Sequence, residues 1–382
     1  MTATAGRRAL HPLYAAGFVT AFGAHSIAAS LGGLTGSVGS QLLALGLLLA
    51  LYDGAEVLLK PVFGSLADRI GPRKVLLGGL IGFAIASAAF VLAGEPGWIG
   101  VARFAQGAAA AAFSPAASAM VSRLTPETGQ GRAFGSYGAW KGLGYTVGPL
   151  IGGVLIWVGG YDLLFAALAA VAAVTAGWAA VSVPALEPLP RTRQTVVDLA
   201  RRLGSRSFLL PTAALAGSTG VLAVGVGFLP VAGAEHGMGP VFTGAVVSVL
   251  ALTAAMVQPR AGRARDAGRL SDGAGIAAGL TVAAVGLAAV AVPGPTGIVV
   301  AAVLIGVGVG LVTPLGFAHL AQTSPKERLG QTMGSAEVGR ELGDAGGPLL
   351  VGGVAAAAGL TMGMGGLAVV LVVIGLLALR LH

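Results

Sequence analysis

The sequence contains no cysteine, and few of its residues carry a charge. Its 382 residues include 23 lysines and arginines and 15 aspartates and glutamates, so only 10% are charged. In a soluble domain, about a quarter of the residues are charged. The absence of cysteine excludes a disulfide framework and a thiolate metal site. So few charges cannot cover the surface of a soluble protein of this length, which excludes an ordinary cytosolic enzyme.

Apolar residues make up 55% of the chain, and they occur in long blocks separated by short charged stretches. One crossing of a membrane as a helix needs about 20 apolar residues. This pattern predicts an all-α polytopic membrane protein. The twelve predicted helices are 11–33, 40–66, 75–94, 97–122, 131–158, 161–183, 207–232, 239–260, 272–292, 296–320, 330–354 and 357–379. The first apolar run lacks a processing site and is not expected to be a cleaved signal peptide.

The basic residues lie on one side of this arrangement. Of the 23, only Lys60, Arg103, Lys141 and Arg340 lie more than two residues inside a predicted helix, and the odd-numbered connections hold none. The others occupy the termini and the even-numbered connections, including a proline- and arginine-rich segment at 184–206. By the positive-inside rule, both termini are therefore expected to be cytoplasmic, in a multi-pass protein of the cell membrane.

The chain also repeats itself with a period near 199 residues. The segment that follows Thr125 recurs after Ser324, and the loop at 64–71 has a weaker copy at 262–268. The period is too long for a solenoid, and it predicts two similar six-helix bundles, an arrangement found in transporters. The predicted domains are an N-terminal bundle at 1–183, a cytoplasmic linker at 184–206 and a C-terminal bundle at 207–382.

The loop after the second helix contains a motif. It resembles the loop signature of the major facilitator superfamily, matched at Gly64, Leu66, Asp68, Arg69, Gly71 and Arg73. The resemblance implies a fold of twelve transmembrane helices in two pseudo-symmetric six-helix bundles. It also implies that Asp68 docks on the start of helix eleven, near Gly330, and closes the cytoplasmic side. A carboxylate is favourable at that position because the first amides of a helix lack partners.

Two further motifs resemble the same family. Arg103 to Gly107 matches an Arg-x-x-Gln-Gly motif whose arginine is implicated in proton coupling. Gly144 to Gly153 resembles the glycine-proline motif of the drug:proton antiporter branch. The helix-kink candidates are Gly148, Pro149, Gly347 and Pro348. The chain departs from that branch in helix one, which lacks an acidic residue and has His25 in the span instead.

Charged residues inside spans are functional candidates because each is costly there. Helix two carries Asp53, Glu56 and Lys60 along one face, and helix eleven carries Glu337, Arg340, Glu341 and Asp344. We expect an ionic seam between the two helices. The gate candidates are the loop residues Gly64, Asp68, Arg69, Gly71 and Arg73 together with Lys60, Glu337 and Glu341. The proton-coupling candidates are Asp53, Glu56 and Arg103.

The substrate-binding candidates surround these charges. They are His25, Tyr52, Tyr137, Trp140, Lys141, Arg340 and Asp344. Lys141 and Arg340 occupy equivalent positions of the repeat, which also fits a two-cation clamp for an anionic solute. A third hypothesis is export of a divalent metal through Asp53, Glu56, Glu341, Asp344 and His25.

The leading hypothesis is a secondary active transporter that works by alternating access and exports a small organic molecule in exchange for protons. Transport of an anionic solute and export of a divalent metal are the alternatives, and a non-transporting receptor or scaffold is the competing class. No enzymatic step, cofactor, resident metal or nucleic-acid partner is expected. The expected partners are a small-molecule substrate, protons and the lipid bilayer, and the protein is expected to be a monomer.

Overall fold

The computed structural model describes residues 3–28, 38–91, 96–188, 204–238 and 240–381. Within these ranges every regular element is a helix. The first four helices are α1 (Ala3–Ala28), α2 (Val38–Ile70), α3 (Pro72–Val91) and α4 (Pro96–Leu124). A long helix, Gln130–Ser182, is interrupted at Gly159 and Gly160, so its two segments are treated as α5 (130–158) and α6 (161–182).

The second half of the chain repeats this pattern. Its helices are α7 (Arg206–Glu235), α8 (Pro240–Asp266), α9 (Asp272–Ala289), α10 (Pro295–Thr323), α11 (Leu329–Ala358) and α12 (Leu360–Ala378). Short 3₁₀ turns, Glu127–Gly129 and Lys326–Arg328, precede α5 and α11. The twelve predicted helices are therefore confirmed in the part of the chain that the structure describes.

The largest error in the predicted boundaries lies at the start of α1. The helix begins at Ala3 instead of residue 11 and continues through Arg7 and Arg8. The prediction followed the apolar run, but a helix can extend beyond the hydrocarbon because its backbone hydrogen bonds do not depend on apolar side chains. For the same reason α2 ends at Ile70, four residues beyond the predicted end.

Glycine and proline set several helix boundaries. Gly160 and Gly359 have φ values of +70° and +88°, which glycine adopts without steric cost, and they separate α5 from α6 and α11 from α12. Proline is the first residue of α3, α4, α8 and α10. Proline is favoured there because the first helical amide has no partner within the helix.

Seven stretches of the described residues are long and apolar enough to cross a membrane. They are Pro72–Val91, Leu150–Ser182, Arg206–Gly233, Phe242–Asp266, Asp272–Ala289, Pro295–Thr323 and Leu360–Ala378. Helix α11 is not among them, and it contains charged residues at 337, 340, 341 and 344. Such residues in a helix of a membrane protein indicate a functional position.

The chain forms two compact units. Unit 1 comprises Met1–Thr125, Trp140–Arg191 and Ser324–Val338, and unit 2 comprises Pro126–Ala139, Thr192–Thr323 and Gly339–His382. The start of α5 thus belongs to unit 2, and the start of α11 belongs to unit 1. The domain boundaries predicted at 183 and 207 divide the chain into two halves of its sequence. That division differs from these two units and stays a prediction.

Small residues allow close helix packing in unit 1, where α4 packs against α1, α2 and α3. A Cβ at Gly107 of α4 would collide with the carbonyl oxygen of Tyr52 in α2. A Cβ at Gly144 of α5 would lie 2.6 Å from the carbonyl oxygen of Phe18 in α1. In a lipid bilayer no hydrophobic driving force acts between helices. Close backbone approach through small residues is then a main source of helix association.

Unit 2 is organised around α10, which packs against α7, α8 and α9. Its buried core includes Leu250, Leu280, Ile305 and Leu371. Glycines again lie at the crossings, since a Cβ at Gly306 would lie 2.5 Å from the carbonyl oxygen of Leu250. The same packing principle therefore operates in both units.

We expect Gly107→Ala to destabilise the protein by about 1–3 kcal/mol, the usual cost of overpacking. The reason is that the added methyl group meets the backbone of α2, which cannot rotate away. The matched control is Gly78→Ala in α3, where a Cβ meets no atom within 4 Å. Melting temperatures in one detergent measure both, and an unchanged value for Gly107→Ala would contradict this account of the packing.

Candidate functional site

In unit 1 a carboxylate at the end of α2 caps the start of α11. Asp68 Oδ1 accepts a hydrogen bond from the amide of Gly330 at 2.9 Å, and Oδ2 accepts one from the amide of Gln331 at 3.0 Å. These amides belong to the first turn of α11, where they lack partners within the helix. A Cβ at Gly64 would collide with the Gly330 carbonyl, so glycine is required for the two helices to approach this closely.

Unit 2 contains the same arrangement between α8 and α5. Asp266 Oδ1 and Oδ2 accept hydrogen bonds from the amides of Gly131 and Arg132, both at 2.8 Å. A Cβ at Gly262 would collide with the Gly131 carbonyl, as Gly64 would with Gly330. We call the two arrangements the α2–α11 dock and the α8–α5 dock.

Each dock continues into a close helix crossing. In unit 1 a Cβ at Gly334 of α11 would lie 2.5 Å from the carbonyl oxygen of Lys60 in α2. In unit 2 a Cβ at Gly135 of α5 would collide with the carbonyl oxygen of Gln258 in α8. These are equivalent positions of the internal repeat, and we call them the α2–α11 crossing and the α8–α5 crossing.

Four charged side chains meet at the α2–α11 crossing. Lys60 Nζ lies 2.8 Å from Glu56 Oε2 and 4.0 Å from Glu337 Oε2, and Lys141 Nζ donates to the same Glu337 oxygen at 3.0 Å. The exposed fraction of these four side chains is 5% or less. Burial of single ions costs several kcal/mol each, so the two cations and two anions must compensate one another. We call this set the buried quartet.

Arg103 lies in a second polar cluster of unit 1. Its guanidinium carbon is 4.2 Å from the centre of the Tyr52 ring, and its Nη1 donates to Gln106 Oε1 at 3.2 Å. Gln106 Nε2 in turn donates to Ser87 Oγ at 2.9 Å. Arg103 is 1% exposed. The cluster therefore joins α2, α3 and α4 through a buried cation.

Unit 2 contains a cluster near the α8–α5 dock. Arg265 donates from Nε and Nη2 to the two carboxylate oxygens of Asp272 at 2.5 and 3.0 Å, and from Nη2 to Gln322 Oε1 at 2.8 Å. His319 Nδ1 lies 3.1 Å from Asp272 Oδ2. Bidentate pairing of arginine with a carboxylate is geometrically specific. The cluster thereby fixes the residue next to Asp266 against α9 and α10.

Arg340 of α11 lies in unit 2. Its Nε donates to Thr219 Oγ1 of α7 at 3.2 Å, and its guanidinium carbon lies 5.7 Å from the centre of the Phe317 ring in α10. The residue is buried. It is therefore held among α7, α10 and α11.

A family model described as the Major Facilitator Superfamily matches residues 13–293 and 226–382, which together cover most of the chain. The chain belongs to the Major Facilitator Superfamily. Its fold is also that of the family, since the crystal structure of a human organic anion transporter superimposes with a TM-score of 0.84. That comparison covers 98% of this chain and 99% of the other, at 17% sequence identity.

Curated relatives of this Major Facilitator Superfamily protein align over shorter stretches. A puromycin resistance protein from Streptomyces alboniger is 45% identical over 93 residues, which are 24% of this chain and 18% of the relative. A class H tetracycline resistance protein from Pasteurella multocida is 34% identical over 110 residues, or 29% of this chain and 27% of the relative. The aligned part is thus less than a third of either relative.

The structure locates the gate candidates of this superfamily member in unit 1, except Glu341, which lies in unit 2. The expected contact of Asp68 with the start of α11 is confirmed. Arg73 Nη2 donates to the Ala180 carbonyl of α6 at 2.5 Å, and Arg69 is exposed. A Cβ at Gly71, where φ is +98°, would lie 3.2 Å from the Leu186 carbonyl. The loop signature therefore contacts both α11 and the segment after α6.

The predicted ionic seam is present for part of its residues. Lys60 connects Glu56 of α2 with Glu337 of α11, as expected. The participation of Lys141 was not predicted, because this residue was assigned to substrate binding. The side chains of Asp53, His25 and Pro149 lie outside the part that the structure describes, as does most of the linker. Glu341 is half-buried and Asp344 is exposed.

The aromatic and kink candidates are divided between the units. Tyr52 and Trp140 lie in unit 1, where Tyr52 is buried under Arg103 and Trp140 is 38% exposed. Tyr137 is buried in unit 2. Backbone dihedrals leave the helical region within Gln130–Ser182 only at Gly159 and Gly160, so the helix continues through Gly148 and Pro149. Helix α11 likewise continues through Gly347 and Pro348.

Sequence reasoning missed the role of Asp266 in this superfamily member. The repeat contained the signal, because the loop at 262–268 is a copy of the loop at 64–71 and aligns Asp266 with Asp68. The partner helices are related in the same way, since Gly131 aligns with Gly330. Applying the docking expectation to both copies would have predicted the α8–α5 dock.

Proposed function

We propose that this protein exports a small organic molecule in exchange for protons and works by alternating access. It acts as a monomer in the cell membrane, with both termini in the cytoplasm. The observation that carries the proposal is the pair of docks formed by Asp68 and Asp266 on the starts of α11 and α5. Each joins a helix of one half of the sequence to a helix of the other.

The chemistry of the docks suits a gate that opens and closes. Each carboxylate accepts hydrogen bonds from the first amides of an intact helix, so these bonds can break without unfolding either helix. In transporters built from repeats, rigid movement of one half against the other exposes the substrate site alternately to the two sides. Because the basic loops are expected to be cytoplasmic, formed docks correspond to a closed cytoplasmic side.

The direction of transport is supported by the relatives and by one motif. The two relatives described above are named for resistance to puromycin and to tetracycline. Another is named as a tetracenomycin C resistance and export protein of Streptomyces glaucescens. The glycine-proline motif at Gly144 to Gly153 resembles that of the antiporter branch. Export is therefore the preferred direction.

The proposed coupling residues are Asp53, Glu56 and Arg103. Glu56 is 4% exposed and Arg103 is 1% exposed, so a change of charge at either would be felt strongly by its neighbours. A carboxylate whose partner moves away between conformations changes its affinity for protons, as exchange requires. Asp53 is the first candidate, since it lies nearer the middle of α2.

The two alternative cargoes receive less support. Lys141 Nζ donates to Glu337 Oε2 at 3.0 Å, so an anion clamp with Arg340 requires that this pair first breaks. Among the side chains that the structure describes, no group of three or more His, Cys, Asp or Glu could hold a metal ion. A small organic molecule stays the proposed substrate.

Reconstituted protein with an imposed pH gradient tests this function. Puromycin and tetracycline are added separately, and a pH-sensitive dye inside the vesicles reports proton movement while labelled compound reports its flux. We expect compound and protons to move in opposite directions, and Asp53→Asn to abolish the proton-dependent component. Flux of either compound that ignores the pH gradient, or proton movement in the same direction, would reject antiport.

A further inference from the structure

The two crossings provide an internal comparison. They share their backbone approach and their docks, but their side chains differ in charge. At the α8–α5 crossing, Gln258 takes the place of Lys60, Gly138 that of Glu337 and Ala254 that of Glu56. The Gln258 side chain fills the space over Gly138, where a Cβ would collide with its Oε1. Only the position of Lys141 keeps a charge, since Arg340 takes its place in the repeat, so close packing at such a crossing does not need the lysine–glutamate pairs.

The buried quartet is consequently more than the crossing needs for stability. Replacement of buried ion pairs by well-packed neutral residues is often neutral or stabilising, and at the α8–α5 crossing three of the four equivalent positions are neutral. The charges at the α2–α11 crossing then require another explanation. A buried carboxylate that depends on partners from other helices is suited to respond to protons.

Within the quartet, both lysines that pair with Glu337 lie on other helices. Lys60 keeps Glu56 as a partner on its own helix, four residues away, whatever α11 does. Glu337 is 0% exposed and receives its cations from α2 and α5, at 4.0 Å from Lys60 and 3.0 Å from Lys141. If α11 moves away from α2 and α5, the Glu337 carboxylate leaves both cations, and an isolated buried carboxylate takes up a proton.

We infer that Glu337 is the proton-controlled latch of the α2–α11 crossing: its carboxylate holds α11 to Lys141 and Lys60, and its protonation releases α11. This inference rests on the proposed function and names the residue at which proton binding opens the cytoplasmic side. A proton from the exterior neutralises Glu337 and permits opening. Loss of that proton to the cytoplasm restores the attraction to both lysines and closes the crossing again.

The direction of the pH effect follows from the charges around Glu337. Lys60 and Glu56 face it from α2, Lys141 faces it from α5, and Arg340 and Glu341 follow it on α11. The closed crossing requires the charged form of Glu337, so it is fully present at high pH and lost as the pH falls.

Distances between spin labels test the latch directly, and the absence of native cysteine makes the labelling specific. Lys74→Cys and Glu327→Cys place the two labels at exposed positions of unit 1. From about pH 8 to about pH 5 we expect the ratio of open to closed populations to rise at least about tenfold. With Glu337→Gln in the same background, the open population should dominate and no longer depend on pH.

Two further variants separate a latch from a structural effect. Glu337→Asp keeps the ionisable group, and we expect it to retain a pH-dependent transition with a displaced midpoint. Asp162→Asn removes an exposed carboxylate of α6 that belongs to neither dock nor crossing, and should leave the transition at the α2–α11 crossing in place. Elution volume and melting temperature identify any variant that fails to fold, and Lys141→Met then provides the second disruption of the same pair.

The outcomes distinguish the latch from the transport function. A transition that persists unchanged in both Glu337→Gln and Lys141→Met overturns the latch, even if proton-driven flux is observed in vesicles. A transition that disappears in Glu337→Gln and persists in Glu337→Asp supports it. The latch would then stand even if neither puromycin nor tetracycline moves, and only the proposed export would fail.

Discussion

Replacing Asp68 by asparagine is expected to shift the protein out of the docked conformation by roughly 30- to 150-fold. A hydrogen bond to a charged group contributes about 1.5–3 kcal/mol, and Asp68 accepts two, from Gly330 and Gln331. Asparagine keeps one side-chain oxygen as an acceptor, but its NH₂ group would face the second backbone N–H, so one of the two hydrogen bonds is lost. A net loss of about 2–3 kcal/mol corresponds to the stated change in population.

The spin-label pair at Lys74 and Glu327 measures this change, and the flux assay measures its effect on transport. We expect a higher open population at every pH and a transport rate reduced at least about tenfold, because a cycle requires both conformations. The protein should still elute as a single monodisperse peak, because the dock joins the end of α2 to the start of α11 and lies outside the buried core. A closed population equal to that of the unaltered protein would show that the dock contributes nothing to closure.

Asp266→Asn provides the comparison at the other dock. Its carboxylate accepts hydrogen bonds from the Gly131 and Arg132 amides at 2.8 Å, so the lost energy should be similar. Labels at Thr128→Cys and Ala267→Cys, both exposed in unit 2, report this dock. Equal effects of the two variants would support a gate with two equivalent parts. A large difference would assign closure to one dock.

Most of the fold could be predicted because its signals are local. Apolar runs, prolines at helix starts and glycine pairs mark the helices, and the break at Gly159 and Gly160 was predicted at the observed place. The dock of Asp68 could also be predicted, because the resemblance of its loop to a family signature specifies both partners. Its copy at Asp266 required only that the repeat be applied a second time.

The buried quartet could be predicted only in part. Asp53, Glu56 and Lys60 share a face of α2, so a seam toward α11 followed from helical spacing. The pair between Lys141 and Glu337 spans 196 residues, and it depends on the rotation of α5 about its own axis. Spacing along one helix does not determine that rotation. The contact between Arg265 and Asp272 likewise depends on the path of a turn between α8 and α9.

The second large effect is expected from Gly334→Ala at the α2–α11 crossing. The added Cβ would lie 2.5 Å from the Lys60 carbonyl oxygen, 3.0 Å from its carbon and 3.3 Å from Pro61 Cα. All three are backbone atoms of α2, so no side-chain rotation relieves the collision. The helices must separate by about 1 Å, and overpacking of this kind costs about 1–3 kcal/mol.

This cost applies to the closed crossing alone, which distinguishes Gly334→Ala from an ordinary destabilising variant. When α11 has moved away from α2 the methyl group meets no backbone, and alanine is the better helix former by about 1 kcal/mol. We therefore expect the closed population to fall by roughly ten- to a hundredfold while the melting temperature stays within a few degrees. Transport should fall with it.

Gly346→Ala, three turns further along α11, is the matched control. A Cβ there meets no atom within 4 Å, so the same change of residue on the same helix should leave the populations unaltered. Gly135→Ala makes the equivalent change at the α8–α5 crossing, where no quartet is present. If both crossings must close together, Gly135→Ala should open the protein as far as Gly334→Ala does, and the opening should persist at high pH. Opening that persists at high pH would then reflect the steric requirement for closure. Opening that depends on pH, as in the unaltered protein, would reflect control by protons at Glu337.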